Sequence, residues 1–154
     1  NRRFDRVCLG KQANLGVVEL SRTDDCGHMD VQAIRYAAMV SPMTFADMVE
    51  TLARSKGLSN PDTEAAKKEV LEFLGWTEPD EDQFGGDTRI ILASADFIKE
   101  LTTAVMWLNE RGLDIRCVRL KPYRMASGEG LRDVQQIVPL PEAEEFQTQI
   151  NLKK

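Results

Sequence analysis

The chain has 154 residues, 42% of them apolar, and a net charge of −5. That is enough apolar material for one folded domain rather than a disordered tail. No apolar run nears the ~18 residues that a membrane span needs, nothing at the N-terminus reads as a signal peptide, and the acidic balance argues against a domain that binds nucleic acid through a broad basic field.

Asn1 stands where an initiator Met would, and the first residues lead almost directly into a strand, so the chain reads as a fragment of a longer protein. A short apolar run, Val7-Cys8-Leu9, is followed by Gly10-Lys11-Gln12-Ala13-Asn14, which reads as a hairpin turn, and by a second run ending Val17-Val18-Glu19. Met29, Ala33, Ile34, Tyr36, Ala37 and Val40 are spaced for an amphipathic helix that Pro42 ends. Thr44 with Asp47 forms a capping-box pattern for a second helix, stopped at Gly57. Pro61-Asp62-Thr63-Glu64 opens a third, burying Ala65, Ala66, Val70, Leu71 and Leu74. An acidic loop, Glu78 to Gly86, leads to a nearly continuous apolar run, Thr88 to Ala95, the pattern of a strand covered on both faces. Asp96 is placed to cap a helix from Phe97 to Arg111, and strands follow at Asp114 to Leu120 and Leu131 to Leu140. From Glu142 the tail is a short acidic helix or frayed. The order predicts one α/β domain over 1–154, a mixed sheet with helices on its faces and a helical insertion at 43–87.

Cys8, Cys26 and Cys117 match neither a disulfide framework nor a zinc spacing. A reducing, cytoplasmic setting is therefore the default, with Cys8 and Cys117 as core thiols. Arg2, Arg3, Arg6, Lys11, Arg22 and Arg35 make a local basic concentration, while the acidic excess falls mostly in Glu64 to Glu72, Glu78 to Asp82 and Glu142 to Glu145.

The residues that point to chemistry are Asp5 and Glu19, fourteen positions apart across the hairpin. Paired strands lie about 4.8 Å apart, so the two carboxylates would share one end of the pair and could hold one divalent metal. The turn after Glu19 leads into the helix bearing Gln32 and Tyr36, four apart and on one face, which could look onto the same end. Two carboxylates and the Leu20 carbonyl are a donor set suited to Mg²⁺ (or Mn²⁺), which lowers the pKa of bound water and stabilises charge on a phosphate.

Asp5, then Glu19-Leu20-Ser21, then Gln32-Ala33-Ile34-Arg35-Tyr36 fall in the order of the PD-(D/E)XK nuclease superfamily, whose RecB-like branches add a Gln-x-x-x-Tyr helix. The stretch from Asn14 to Leu20, Arg22-Thr23 and Gln32 to Val40, with Ser94-Ala95-Asp96-Phe97 and Trp107-Leu108-Asn109-Glu110-Arg111, is similar to an uncharacterised bacterial family of this kind. The resemblance implies a restriction-endonuclease-like mixed sheet lacking its N-terminal helix and strand. It implies a Mg²⁺-dependent deoxyribonuclease of a repair or restriction type, with Asp5 and Glu19 as metal ligands and Gln32 and Tyr36 positioning substrate or bracing the site. Arg3, Arg22 and Arg35, from the local basic concentration, are the candidates for substrate binding. The family's Lys two positions after Glu is Ser21 here. A hydroxyl carries no charge to orient water or offset a phosphate; Arg22 falls on the opposite face of a strand, and Lys11 at the far turn. Either another base compensates or activity is weak or absent.

Three readings follow. The first is a nuclease cutting DNA phosphodiesters. The second is a degraded nucleic-acid-binding or protein-interaction module of the same fold. The third is a metal-free interaction protein with an acidic partner surface. DNA is the expected partner in the first and nucleic acid or protein in the second; a membrane is not expected, and a homodimer is possible. His28 reads as a helix-start residue, Trp76 and Trp107 as core or rim packing, and Gly85-Gly86 as a plain turn, since the Lys-Ser/Thr of a phosphate loop does not follow.

Overall fold

A computed structural model describes residues 6–21, 28–57 and 62–140. The element order is β1 (Arg6–Leu9), β2 (Leu15–Leu20), α1 (Met29–Val40), α2 (Phe45–Ser55), α3 (Thr63–Leu74), β3 (Arg89–Ser94), α4 (Lys99–Asn109), β4 (Asp114–Arg124) and β5 (Gly130–Val138). The five strands form one mixed sheet in the order β1-β2-β3-β4-β5. The β1/β2 and β4/β5 pairs are antiparallel hairpins, and β2, β3 and β4 run parallel. Parallel neighbours need crossovers: α1, α2 and α3 make the first and α4 the second. The molecule is an α/β protein.

The hairpin turn is the one the sequence announces. Gly10 N–H donates to Asn14 O at 2.9 Å and Ala13 N–H to Gly10 O at 3.0 Å. Ala13 takes a left-handed φ of 59°, a conformation that disfavours any residue with a Cβ. Its site compensates: the methyl is buried, and its carbonyl accepts the Gly85 N–H at 2.9 Å, tying the hairpin to the loop before β3.

Register assigns the faces. Val7 lies opposite Val17, Val17 opposite Ile90, and Ile90 opposite Ile115. Leu15, Val17, Ile90, Leu92, Ile115 and Cys117 are buried, so this row is the closed face. Helix α1 covers β2 and β3, and α4 covers β4 and β5. On α1 the buried stripe is Met29, Ala33, Ala37 and Val40, each about one helical turn from the next. Phe45 of α2 stacks on Trp76 and meets Phe84 edge-on, with centroids 6.4 and 5.6 Å away. These rings join the helical segment to the core under the sheet. The capping box at Thr44 and Asp47 is formed from both sides, and Asp62 caps α3 through Ala65 N–H.

The opposite face carries Val18, Leu20, Ile91 and Val118, half-buried or exposed. It also carries an ion-pair ladder, Arg89 to Asp114 at 2.6 Å and Arg116 to Asp114 at 3.2 Å. β3 is therefore not sealed on both sides as its apolar run suggests. Its alternate residues Arg89 and Ile91 remain half-buried, although Ala93 is buried. Cys8, opposite Gly16, falls on this open face and is exposed, while Cys117 is the core thiol expected. Ala65 of α3 is exposed rather than buried, because the inward stripe runs through Ala66 and Val70. Trp107 is 53% exposed, with the Arg111 guanidinium 3.5 Å from its ring centroid, so it is not a core residue. Among the described residues no helix is long and apolar enough to cross a membrane.

Candidate functional site

Two of the three parallel strands, β2 and β3, end at one edge of the sheet while β4 runs on past it, and in open α/β sheets that edge is where strand ends, loops and helix starts leave polar groups together. β2 arrives there with Glu19, Leu20 and then Ser21. Glu19 shares the closed-face parity of Leu15 and Val17 and is half-buried, with Oε2 shielded from solvent. Its parallel neighbour is Leu92, and that of Leu92 is Cys117. On β2 the closed face thus turns from apolar Val17 to the Glu19 carboxylate within two residues. Ser21 N–H continues the ladder onto Ala93 O at 2.9 Å.

One row further on, Ser94 faces Arg119 across the β3/β4 pair. Ser94 is 2% exposed, the buried polar residue among those described. Arg119 donates from Nη2 to Asp96 Oδ1 at 3.0 Å, while its Nε is buried and has no hydrogen-bond partner among the described residues. Asp96 Oδ1 also accepts the Phe97 N–H at 3.0 Å. That backbone bond and the Arg119 charge, with Lys121 adding a smaller share, hold the Asp96 carboxyl below the usual aspartate range, against a small opposing desolvation. Asp96 is thus not the N-cap expected of it: α4 begins three residues later, with Ile98 in the cap position. The ion pair to Arg119 engages the side chain that local pattern assigned to the helix.

Helices α1 and α4 each follow a strand that ends at this edge. Neither His28 nor Ile98 supplies a side-chain cap to the helix it precedes. First-turn N–H groups left in this way favour anions.

The expected site residues divide as follows. Asp5, Arg3 and Arg22 lie outside the described residues. Arg6, the residue after Asp5, pairs with Val18, the residue before Glu19. Leu20 is 55% exposed, its side chain on the open face and only its main chain at the edge. Tyr36 sits at the margin of the α1 stripe, half-buried and packed against the core. Gln32, one step further round the helix, is exposed, and so is Arg35. Among the described residues no three His, Cys, Asp or Glu side chains gather as a metal site. At the end of β2 those residues offer a divalent ion the Glu19 carboxylate and the neighbouring strand carbonyls.

Sequence reading did not pick out Ser94, Arg119 and Lys121 as site residues. The available signal was parity: on β4 the inward positions run Ile115, Cys117, Arg119, Lys121, apolar and then cationic. A hollow lined by Gln12, Asn14, Thr88, Arg89 and Asp114 opens at the other edge, where β3 and β4 begin. Comparison with protein-family models, with curated proteins and with solved structures gives no match to this chain.

Proposed function

We propose that this is a metal-dependent nuclease-fold protein acting on DNA phosphodiesters, of the restriction-endonuclease-like type, with its site at the edge where β2 and β3 end beside β4. What supports the reading is one juxtaposition: a half-buried carboxylate, Glu19, is the last closed-face residue of β2, on a hairpin whose register stands at Arg6 opposite Val18. One further step of that register is what the proposal requires of Asp5.

The chemistry divides among residues. Asp5, Glu19 and the Leu20 carbonyl would hold Mg²⁺, which when bound supplies an acidified water and charge stabilisation on the phosphate. The apolar row under Glu19, formed by Val17, Leu92 and Cys117, keeps the floor of the site dry and strengthens electrostatic interactions above it. Arg119, braced by Asp96, carries positive charge to the same edge, and the α1 and α4 starts add partial positive charge.

A second reading is favoured by one residue: Ser21 stands where a charged group would orient the water, so the fold could serve DNA binding with cleavage lost. Titration with Mn²⁺ by calorimetry tests the shared premise. Wild type is expected to bind, Glu19→Ala and Asp5→Ala are expected not to, and binding that survives both substitutions rules out the site. Mn²⁺-dependent cleavage of plasmid DNA by wild type then separates nuclease from binding module.

A further inference from the structure

The β4/β5 hairpin outruns the sheet. β3 ends at Ser94, opposite Arg119, but β4 continues to Arg124 with β5 still paired to it, from Leu120 opposite Val134 to Arg124 opposite Gly130. Five residues at strand spacing carry the ribbon about 17 Å past the edge that holds Glu19. Its turn is closed by Met125 N–H to Glu129 O at 2.8 Å and Gly128 N–H to Met125 O at 2.9 Å. The ribbon is thus a defined two-stranded projection.

Its surface is basic and partly apolar in a chain that is acidic overall. From 119 to 134 it carries Arg119, Lys121, Arg124 and Arg132 against Glu129 and Asp133. Strand alternation sends these cations to both faces: Arg119 and Lys121 share the Glu19 face, whereas Arg124, and Arg132 opposite Pro122, take the other. Tyr123 and Leu131, paired across the tip, are each 53% exposed.

We infer that the β4/β5 ribbon is an arm for double-stranded DNA, entering the major groove tip-first and bringing a phosphodiester to the Glu19 edge. This rests on the reading above and adds the form of the substrate. Cations on both faces fit an anionic surface that meets the ribbon on two sides. A groove has a phosphate backbone along each wall, whereas a single strand presents one. The major groove is about 12 Å wide and about 8.5 Å deep and admits a two-stranded ribbon. An arm that reaches further than the groove is deep can touch base edges with Tyr123 and Leu131 while the sheet edge comes up to the phosphate rim.

The test is anisotropy of a labelled duplex and of its single strand, in metal-free buffer across a salt series, with the full chain and with Arg124→Gln/Arg132→Gln. Both side chains are exposed, so the fold is expected to hold; a thermal melt checks this, and Arg124→Gln alone repeats the test with less change. Expected are preference for duplex, weaker duplex binding by the double variant, and a salt slope shallower by about 1.8, two phosphate contacts' worth, with Mn²⁺ binding unchanged. Equal affinity for the two DNA forms, or a double variant that binds duplex with the same slope, overturns the arm and leaves the nuclease reading standing. A dimer of the wild type that the same substitutions dissociate also overturns it, making the ribbon an interface between copies. Mn²⁺ binding that ignores Glu19→Ala strikes the underlying reading instead.

Discussion

Ser21→Lys is the substitution that most directly probes the edge. Residue 21 lies one position past β2, half-buried, with its main chain held by the 2.9 Å bond to Ala93 O. That bond is main chain to main chain, so a change of side chain leaves this rung of the ladder in place. Positions 19 and 21 share a face and stand about 6.7 Å apart along the strand. A lysine ammonium at that distance from the negative charge gathered at Glu19, in an effective dielectric of about 20, interacts by roughly 2.5 kcal/mol. If that interaction is made with the transition state and not with the ground state, it is worth about 70-fold in rate. The assay is single-turnover cleavage of supercoiled DNA in Mn²⁺, with Glu19→Ala/Ser21→Lys as the control for contaminating nuclease. The expected result is cleavage raised by one to two orders of magnitude over wild type, and abolished in the control. A folded, Mn²⁺-binding Ser21→Lys protein that cuts no faster than wild type would refute the reasoning, since the added charge would then have nothing at the edge on which to act.

Other expectations concern what holds the edge in place. Asn109, at the end of α4, accepts the Ile115 N–H at 2.9 Å and donates to the Ile115 carbonyl at 2.8 Å, serving a buried residue of β4 as a neighbouring strand would. Asn109→Ala strands both groups and is expected to cost about 2–4 kcal/mol, read by urea denaturation; a loss under 1 kcal/mol would mean water replaces the amide. Asp96 has a folded pKa below its unfolded value, so its charge stabilises the protein above an unfolded pKa of about 3.9 and loses that contribution as pH falls through the folded value. The stability gap between wild type and Asp96→Asn should accordingly narrow as pH is lowered from about 6 through that window, where a gap that widened would contradict the Arg119 pairing.

Much of the fold was legible because its signals are local. The Gly10 to Asn14 turn, the Thr44–Asp47 box, the start of α3 beside Asp62 and the amphipathic helix from Met29 to Val40 each depend on residues within a few positions of one another, and each forms. What failed was decided across the sheet. Cys8 sits in an apolar run, yet register with Gly16 turns it to the open face. The apolar alternation places the end of this strand at Leu120, and Pro122 falls just beyond it. Past Arg119, however, β3 is no longer alongside, that flank of β4 needs no ladder donor, and the strand runs on to Arg124.

The site divides in the same way. Glu19 could be singled out because it closes an apolar run, a discontinuity visible in the chain itself. Arg119 could not, because nothing near it in sequence says that it stands opposite Ser94, or that an aspartate 23 residues earlier takes its guanidinium in place of a helix cap. Two parallel crossovers are what bring residues 19, 94 and 119 onto adjacent strands of one edge. A parallel sheet therefore hides its functional edge from any reading confined to neighbours. Parity along β4, where inward positions pass from Cys117 to Arg119 to Lys121, is the trace of that edge left in the sequence. A cation at an inward position that follows a buried apolar one implies that the covering helix has ended there. What then faces the cation is an anion: Asp96 in the folded chain and, on the function proposed here, a DNA phosphate.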